Sequence, residues 1–195
     1  MRGAPAGDFD LYLLALSWSP GFCASGGEDK SPKQCAVGAG LGFVVHGLWP
    51  QYDRGYPAFC SPEGRNPRRN DLDAVAGIVP TEGLARYQWR KHGVCSGLAP
   101  SAYFDAIATV FRRLVPPALP TTASPLEIER AWAAANPGLR TDMMSVDCGR
   151  AETDEIVLQE VRVCMSRDLR AFIPCPDEVE RDTCRAASIT IPEPR

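Results

Sequence analysis

Apolar residues along this chain come in blocks whose spacing switches between strand-like and helix-like. Leu11 to Trp18 (LYLLALSW) is a nearly unbroken run of leucine and aromatic side chains closed by Ser19-Pro20-Gly21, which predicts a strand or buried segment over 10–18. Leu41 to His46 (LGFVVH) predicts a second, short buried strand, stopped by Gly47-Leu48-Trp49-Pro50. Between them, residues 22–38 read as a loop, and residues 51–70, rich in Gly, Pro, Asn and Arg, as a longer one of the kind that tends to be functional.

The period then changes. Thr81 to His92 carries Leu84, Gln88, Lys91 and His92 at helical spacing, with Gly93 as the residue that stops the helix. Ser101 is placed to cap a helix whose Phe104, Ile107, Phe111 and Leu114 share one apolar face, ended by Pro116-Pro117. Ser124-Pro125-Leu126-Glu127 is a capping box with proline at the first helical position, predicting a helix to about Ala135. A weaker helix is expected at 72–77. Glu155 to Met165, Ile173 and 189–191 return to strand composition. Strands early and late with helices between predict one α+β domain over 10–195 behind a flexible segment at 1–9, with a central antiparallel sheet.

Composition narrows the function classes. The net charge is −3, so the chain does not grip nucleic acid by bulk positive charge; a local basic cleft remains open to it. No apolar run is long enough to span a bilayer. Eight cysteines at wide, irregular spacing, with no C-x-x-C knuckle, predict disulfides formed in an oxidising compartment, periplasmic or secreted. Sequence alone permits about 105 pairings of eight cysteines. The first residues lack a signal peptide's apolar stretch and read as a mature start after export.

There are only two histidines, and both lie in segments unlike ordinary core. His46 ends the second strand, where its side chain can project from the sheet rim. His92 sits in Tyr87-Gln88-Trp89-Arg90-Lys91-His92-Gly93-Val94-Cys95. On a helix, Gln88, Lys91 and His92 share a face with Tyr87 at its edge. Two imidazoles and a lysine are the minimal equipment for metal-free phosphodiester transfer: one ring takes a proton, the other gives one, and the ammonium offsets the charge that builds on phosphorus. A bridge between Cys60 and Cys95 would tie the two segments together. Taken singly, each residue has a plainer reading: Lys91 as a surface lysine, His92 as a cation at a helix C-terminus, Trp89 as core, and Arg65, Arg68 and Arg69 as a solvated basic loop.

His46-Gly47-Leu48-Trp49-Pro50 and Trp89-Arg90-Lys91-His92-Gly93-Val94-Cys95 resemble the two active-site segments of the ribonuclease T(2) family, in the right order. Leu11 to Cys23, Pro125 to Cys148 and Val161 to Cys175 resemble its first strand, late helix and C-terminal hairpin. The chain looks like a bacterial member. The resemblance implies a disulfide-stapled α+β fold, a monomer, and cleavage of single-stranded RNA through a 2′,3′-cyclic phosphate with low base specificity. It implies no cofactor, no metal and no cleavage of DNA, which lacks the 2′-hydroxyl. His46 and His92 would be the acid–base pair, with His92 favoured as base, Lys91 as the charge stabiliser, Gln88 as a phosphate or Lys91 contact, and Trp49 and Tyr87 as substrate contacts. The implied bridges are Cys60–Cys95, Cys148–Cys184 and Cys164–Cys175, leaving Cys23–Cys35. Trp18, Tyr52, Tyr56 and Phe59 are candidate stacking platforms for bases.

The chain also departs from the family pattern. Tyr87-Gln88 stands where the family usually has His-Glu, and Ser17 where many members have a base-contacting glutamine. Those substitutions motivate a second reading, a weakened relative that binds RNA or signals. A third, a metallohydrolase using both histidines as ligands, lacks a clustered third ligand.

Overall fold

The computed structural model describes residues 1–61 and 65–194; residues 62–64 of the predicted 51–70 loop and residue 195 lie outside the described residues. Strand β1, Leu11–Trp18, runs through the middle of a six-stranded sheet. Its first six residues are buried, as expected of a strand covered on both faces. Tyr12, Leu14 and Leu16 enter the main core, while Leu11 and Leu13 enter a smaller cluster with Cys164, Cys175 and Val179. The alternation assigns the sheet two unequal faces.

The loop expected at 22–38 is partly helical: short helices α1 (Ser19–Phe22) and α2 (Pro32–Cys35) flank a wide turn at Cys23–Gly27 and are joined by the Cys23–Cys35 bridge. Strand β2, Phe43–Gln51, does not stop at Gly47 but continues through Pro50. It pairs only with β1 among the described strands, and an edge strand tolerates a proline that donates nothing to the ladder. Residues Arg69–Val75 form a 3₁₀ turn where a weak helix is predicted.

Helix α3, Glu82–Lys91, starts at Thr81, whose hydroxyl accepts from the Leu84 N–H. His92 is its last cap residue; Gly93 opens a 3₁₀ turn rather than serving as a left-handed stop, a role that falls to Gly97 at φ +75°. Gly93 matters for space: a side chain there would strike Trp89 and Tyr103. Helix α4, Pro100–Arg113, is capped at Ala99, with Ser101 inside it and exposed. A two-residue strand β3 (Thr122–Ala123) precedes helix α5, Pro125–Ala135, where the capping box forms as predicted, Ser124 and Glu127 bonding reciprocally.

Strands β4 (Met144–Arg150) and β5 (Ile156–Ser166) form an antiparallel hairpin, and β4 went unpredicted. Helix α6 (Asp177–Arg181) and strand β6 (Ile189–Thr190) complete the chain. The sheet runs β2-β1-β5-β6-β3, with β4 also on β5; β5 and β6 are parallel, so the sheet is mixed rather than purely antiparallel. Ile173 lies beside an isolated bridge, Met165 to Phe172, and not in a strand. Residues 1–9, expected to be flexible, are docked: Gly3 and Ala6 donate to Ala58 and Ser61, and Ala4 and Phe9 are buried.

All four implied bridges are formed. Cys60–Cys95 closes 35 residues and ties the segment after β2 to the turn after α3. Replacing both cysteines by alanine is expected to cost about 3–4 kcal/mol, mostly through a less restricted unfolded chain. Guanidinium unfolding of the two proteins measures it; equal midpoints would contradict it.

One buried carboxyl is out of place. Glu129 on α5 is buried, has no hydrogen-bond or ion-pair partner among the described residues, and faces the charge of Glu180. Burial, then Glu180, pushes its pKa up to about 7. The folded value lies above the unfolded one, so its contribution is intact at acid pH and is lost as pH rises through about 7. Glu129→Gln should change little near pH 4 and stabilise by on the order of 2 kcal/mol at pH 8. Thermal melts across pH decide it: parallel curves for both proteins would contradict the assignment.

Candidate active site

The small-cluster face of the sheet carries the site. A cavity of about 250 Å³ opens there, and its walls include His46, Trp49, Tyr56, Tyr87, Lys91 and His92. The local fold of β2 explains how His46 gets there. Leu48 and Val45 both enter the main core, although residues three apart on a regular strand face opposite ways. The β1–β2 register slips between Ala15 and Leu16: Ala15 faces Gly47 and Leu16 faces Val45, leaving His46 as the extra residue of a bulge. That single insertion moves His46 from Leu48's face to Trp49's.

Trp49 stands between the two imidazoles. Its ring centroid lies 5.2 Å from His46, edge to face, and 5.2 Å from His92, near parallel. Trp49 Nε1 donates to Gln88 Oε1 at 2.7 Å, so the buried Gln88 amide holds the indole through its oxygen while also bordering the cavity. Gly47 is required beneath them, because a β-carbon there would strike Trp49 Nε1 and lie 2.6 Å from Gln88 Oε1. Tyr56 covers His92 at 5.6 Å, and the Lys91 ammonium sits 5.7 Å from the Tyr56 ring centre.

The two imidazoles have opposite surroundings. His46 is about two-fifths exposed, and its Nδ1 lies 2.7 Å from Glu160 Oε1. Desolvation of the buried Glu160 would raise its pKa, but hydrogen bonding and charge from His46 and Arg162 outweigh it and hold the pKa low. An ionised carboxylate only accepts, so Nδ1 carries the proton and Nε2 is left for the cavity. His92 is buried, and its Nδ1 has no partner among the described residues. Burial, then Lys91, then His46, push its pKa down to about 3. A neutral ring able to take a proton therefore lies beside one backed by a carboxylate.

This fixes an expected pH dependence. A base works only when unprotonated, so a reaction that uses His92 as its base should show an acid-side limb of kcat/KM well below pH ~6.5, the ordinary histidine value. A pH–rate profile on single-stranded RNA measures it, and a limb near pH ~6.5 would contradict the burial argument.

Of the other candidates, Tyr52 lines the cavity, Tyr87 does so from a half-exposed position, and the Tyr87 ring meets Arg90. Trp18 and Phe59 do not line it: Trp18 packs on Phe43 and donates to the Pro192 carbonyl, and Phe59 lies under Arg2. Arg65 pairs with Asp71, and none of Arg65, Arg68 and Arg69 borders this cavity. Glu160, Arg162, Glu178 and Asp182 were missed. Glu160 and Arg162 carried a signal, the only two charges inside a mostly apolar strand. A second cavity of about 510 Å³ lies on the other side of His46, walled by Ser17, Phe22, Val44, Pro80 and Leu84 among others.

The arrangement defines a disulfide-stapled α+β domain with two imidazoles and a lysine converging on one cleft. A sequence profile of the Ribonuclease T2 family matches residues 9–175, and the chain belongs to that family. A ribonuclease of Aeromonas hydrophila is 33% identical over 186 residues, covering 90% of this chain and 80% of that one. Ribonuclease I of Escherichia coli is 31% identical over 140 residues, 52% of each chain. Ribonuclease MC1 from the seeds of bitter gourd superposes with a TM-score of 0.68 at 23% identity, over 93% of this chain and 100% of that one. RNase NT with 5′-AMP gives 0.70 at 21% identity, over 95% and 99%. Four disulfides place the chain in an oxidising compartment, and no described helix is long and apolar enough to cross a membrane.

Proposed function

We propose that the protein is a metal-independent endoribonuclease that cleaves single-stranded RNA by transesterification. The observation that carries this reading is the unequal pair of imidazoles on either side of Trp49, beside Lys91. His92 Nε2 takes the proton of the ribose 2′-hydroxyl, whose oxygen attacks the adjacent phosphorus. His46, doubly protonated at this step, gives its Nε2 proton to the departing 5′-oxygen and keeps Nδ1–H on Glu160; that P–O bond breaks and a 2′,3′-cyclic phosphate is left. Lys91 offsets the charge of the five-coordinate phosphorus. The cavities either side of His46 would hold the nucleotides flanking the scissile phosphate, with Trp49, Tyr52 and Tyr56 as stacking surfaces in one of them. The four bridges support export to an oxidising compartment, the periplasm or medium.

The test incubates the protein with single-stranded RNA and excess EDTA between pH 5 and 7, beside His46→Phe and His92→Phe. Cyclic-phosphate ends made by the wild type and lost in both variants are expected. Equal cleavage by all three proteins would sink the reading. A second reading, RNA binding with little cleavage, is favoured by Tyr87 and Gln88. One relative, from Panax ginseng, 22% identical, is named a ribonuclease-like storage protein. Retained RNA binding without cyclic-phosphate ends would establish it instead.

A further inference from the structure

The His46 side chain is not held by its own strand. Its partner, Glu160, comes from β5, two strands away, with β1 between. The crossing is possible because β1 is narrow there: Ala15 lies between Gly47 and Arg162, and Ser17 between Val44 and Glu160. Small side chains at both positions let two long ones from β5 reach over β1. Glu160 is in turn fixed from its other oxygen, Arg162 Nε donating to Oε2 at 2.8 Å, and Arg162 Nη2 donates to Asp147 Oδ2 of β4 at 2.9 Å. Asp147, Arg162, Glu160 and His46 thus form one chain of charge-assisted hydrogen bonds ending at the cavity.

We propose that Glu160, clamped by Arg162 and Asp147, is a positioning residue that fixes the Nδ1–H tautomer of His46 and holds its Nε2 toward the scissile phosphate. The proposal rests on His46 being the acid. Position 88 carries an uncharged amide whose Oε1 accepts from Trp49 Nε1. The buried negative charge of this site is therefore supplied by β5, and it reaches His46 and not His92. The charged groups around His46 are Glu160 and Arg162 of β5, Lys91 of α3 and His92 just after it, Glu178 of α6 and Asp182 just after it, and Lys30 across the second cavity. Of the carboxylates among these, Glu160 is the one hydrogen-bonded to the ring.

Glu160→Gln makes a sharp prediction because arginine only donates. Arg162 Nε must keep an oxygen opposite it, so the carbonyl oxygen of the new amide faces Arg162 and its amino group faces His46. A donor there forces His46 Nδ1 to accept, which puts the proton on Nε2 and opposes the doubly protonated ring.

Nitrogen-15 NMR of the imidazoles together with RNA cleavage kinetics tests this. In the wild type, neutral His46 should carry its proton on Nδ1. In Glu160→Gln the proton should move to Nε2, kcat should fall about 10²-fold or more with KM changed far less, and the alkaline limb of kcat should move to lower pH. Arg162→Met, which keeps the carboxylate, should keep the wild-type tautomer. A wild-type ring protonated on Nε2 overturns the proposal without any variant, so a Glu160→Gln protein that fails to fold leaves it testable. An unchanged tautomer and pH limb in a folded Glu160→Gln protein overturns it as well. Nδ1 protonation without RNA cleavage would instead refute the ribonuclease reading while supporting the Glu160–His46 pairing.

Discussion

Replacing His92 by phenylalanine is expected to lower kcat on single-stranded RNA by about 10³–10⁴-fold, and His46→Phe by a similar factor. The reason is the count as much as the geometry. The chain has two histidines, both on the cavity beside Lys91, so no spare imidazole can take over either proton transfer. The two losses should not multiply in the double variant, because each ring works on a proton the other depends on. The His92 change should leave folding nearly intact, since among the described residues the ring's Nδ1 makes no hydrogen bond that phenylalanine would break. His46→Phe instead strands the buried Glu160 carboxylate with only Arg162 and should cost stability as well as activity. Steady-state cleavage paired with thermal melts separates the two. Residual activity within about tenfold of wild type in either single variant would contradict the assignment.

The second large effect belongs to Lys91. Lys91→Met is expected to reduce kcat about 10²–10³-fold with a smaller change in KM, because the ammonium is needed most when charge peaks on the phosphorane. The side chain is free to serve there, since it has no ion-pair partner among the described residues and sits over the Tyr56 ring beside His92. Methionine keeps the apolar stem. Losing Lys91 also removes one of the charges that depress His92, so the acid limb of kcat/KM should move toward higher pH. Rates across pH for wild type and variant measure both effects, and equal kcat values would remove Lys91 from the mechanism.

Much of this was legible from local pattern. The nearly continuous apolar run of β1 and the β-branched, mostly buried β5 read as strands because both are buried on two faces, and the Ser124–Glu127 box read as a helix start because its two bonds are local. What failed was decided by tertiary contacts. Strand β4, with Ser145, Asp147 and Gly149, has little strand character of its own and is extended because β5 pairs with it. The β2 strand ran past Gly47 and Pro50 because an edge position forgives both. The His46 bulge has no local mark at all: the motif showed that a histidine was present but not which face it took. The cavity's far wall, from α6, follows a Pro-Asp-Glu run too short to show a helical period.

The central claim is that paired imidazoles drive attack by a ribose 2′-oxygen on its own phosphate. An oligonucleotide of deoxyribose residues with a single internal ribose, incubated with EDTA, tests it most directly, its products weighed by mass spectrometry. Cleavage only on the 3′ side of that ribose, with the 5′ fragment ending in a 2′,3′-cyclic phosphate, is the predicted result. Cleavage at deoxyribose positions, 5′-phosphate ends, or no cleavage until a divalent metal is added would contradict it.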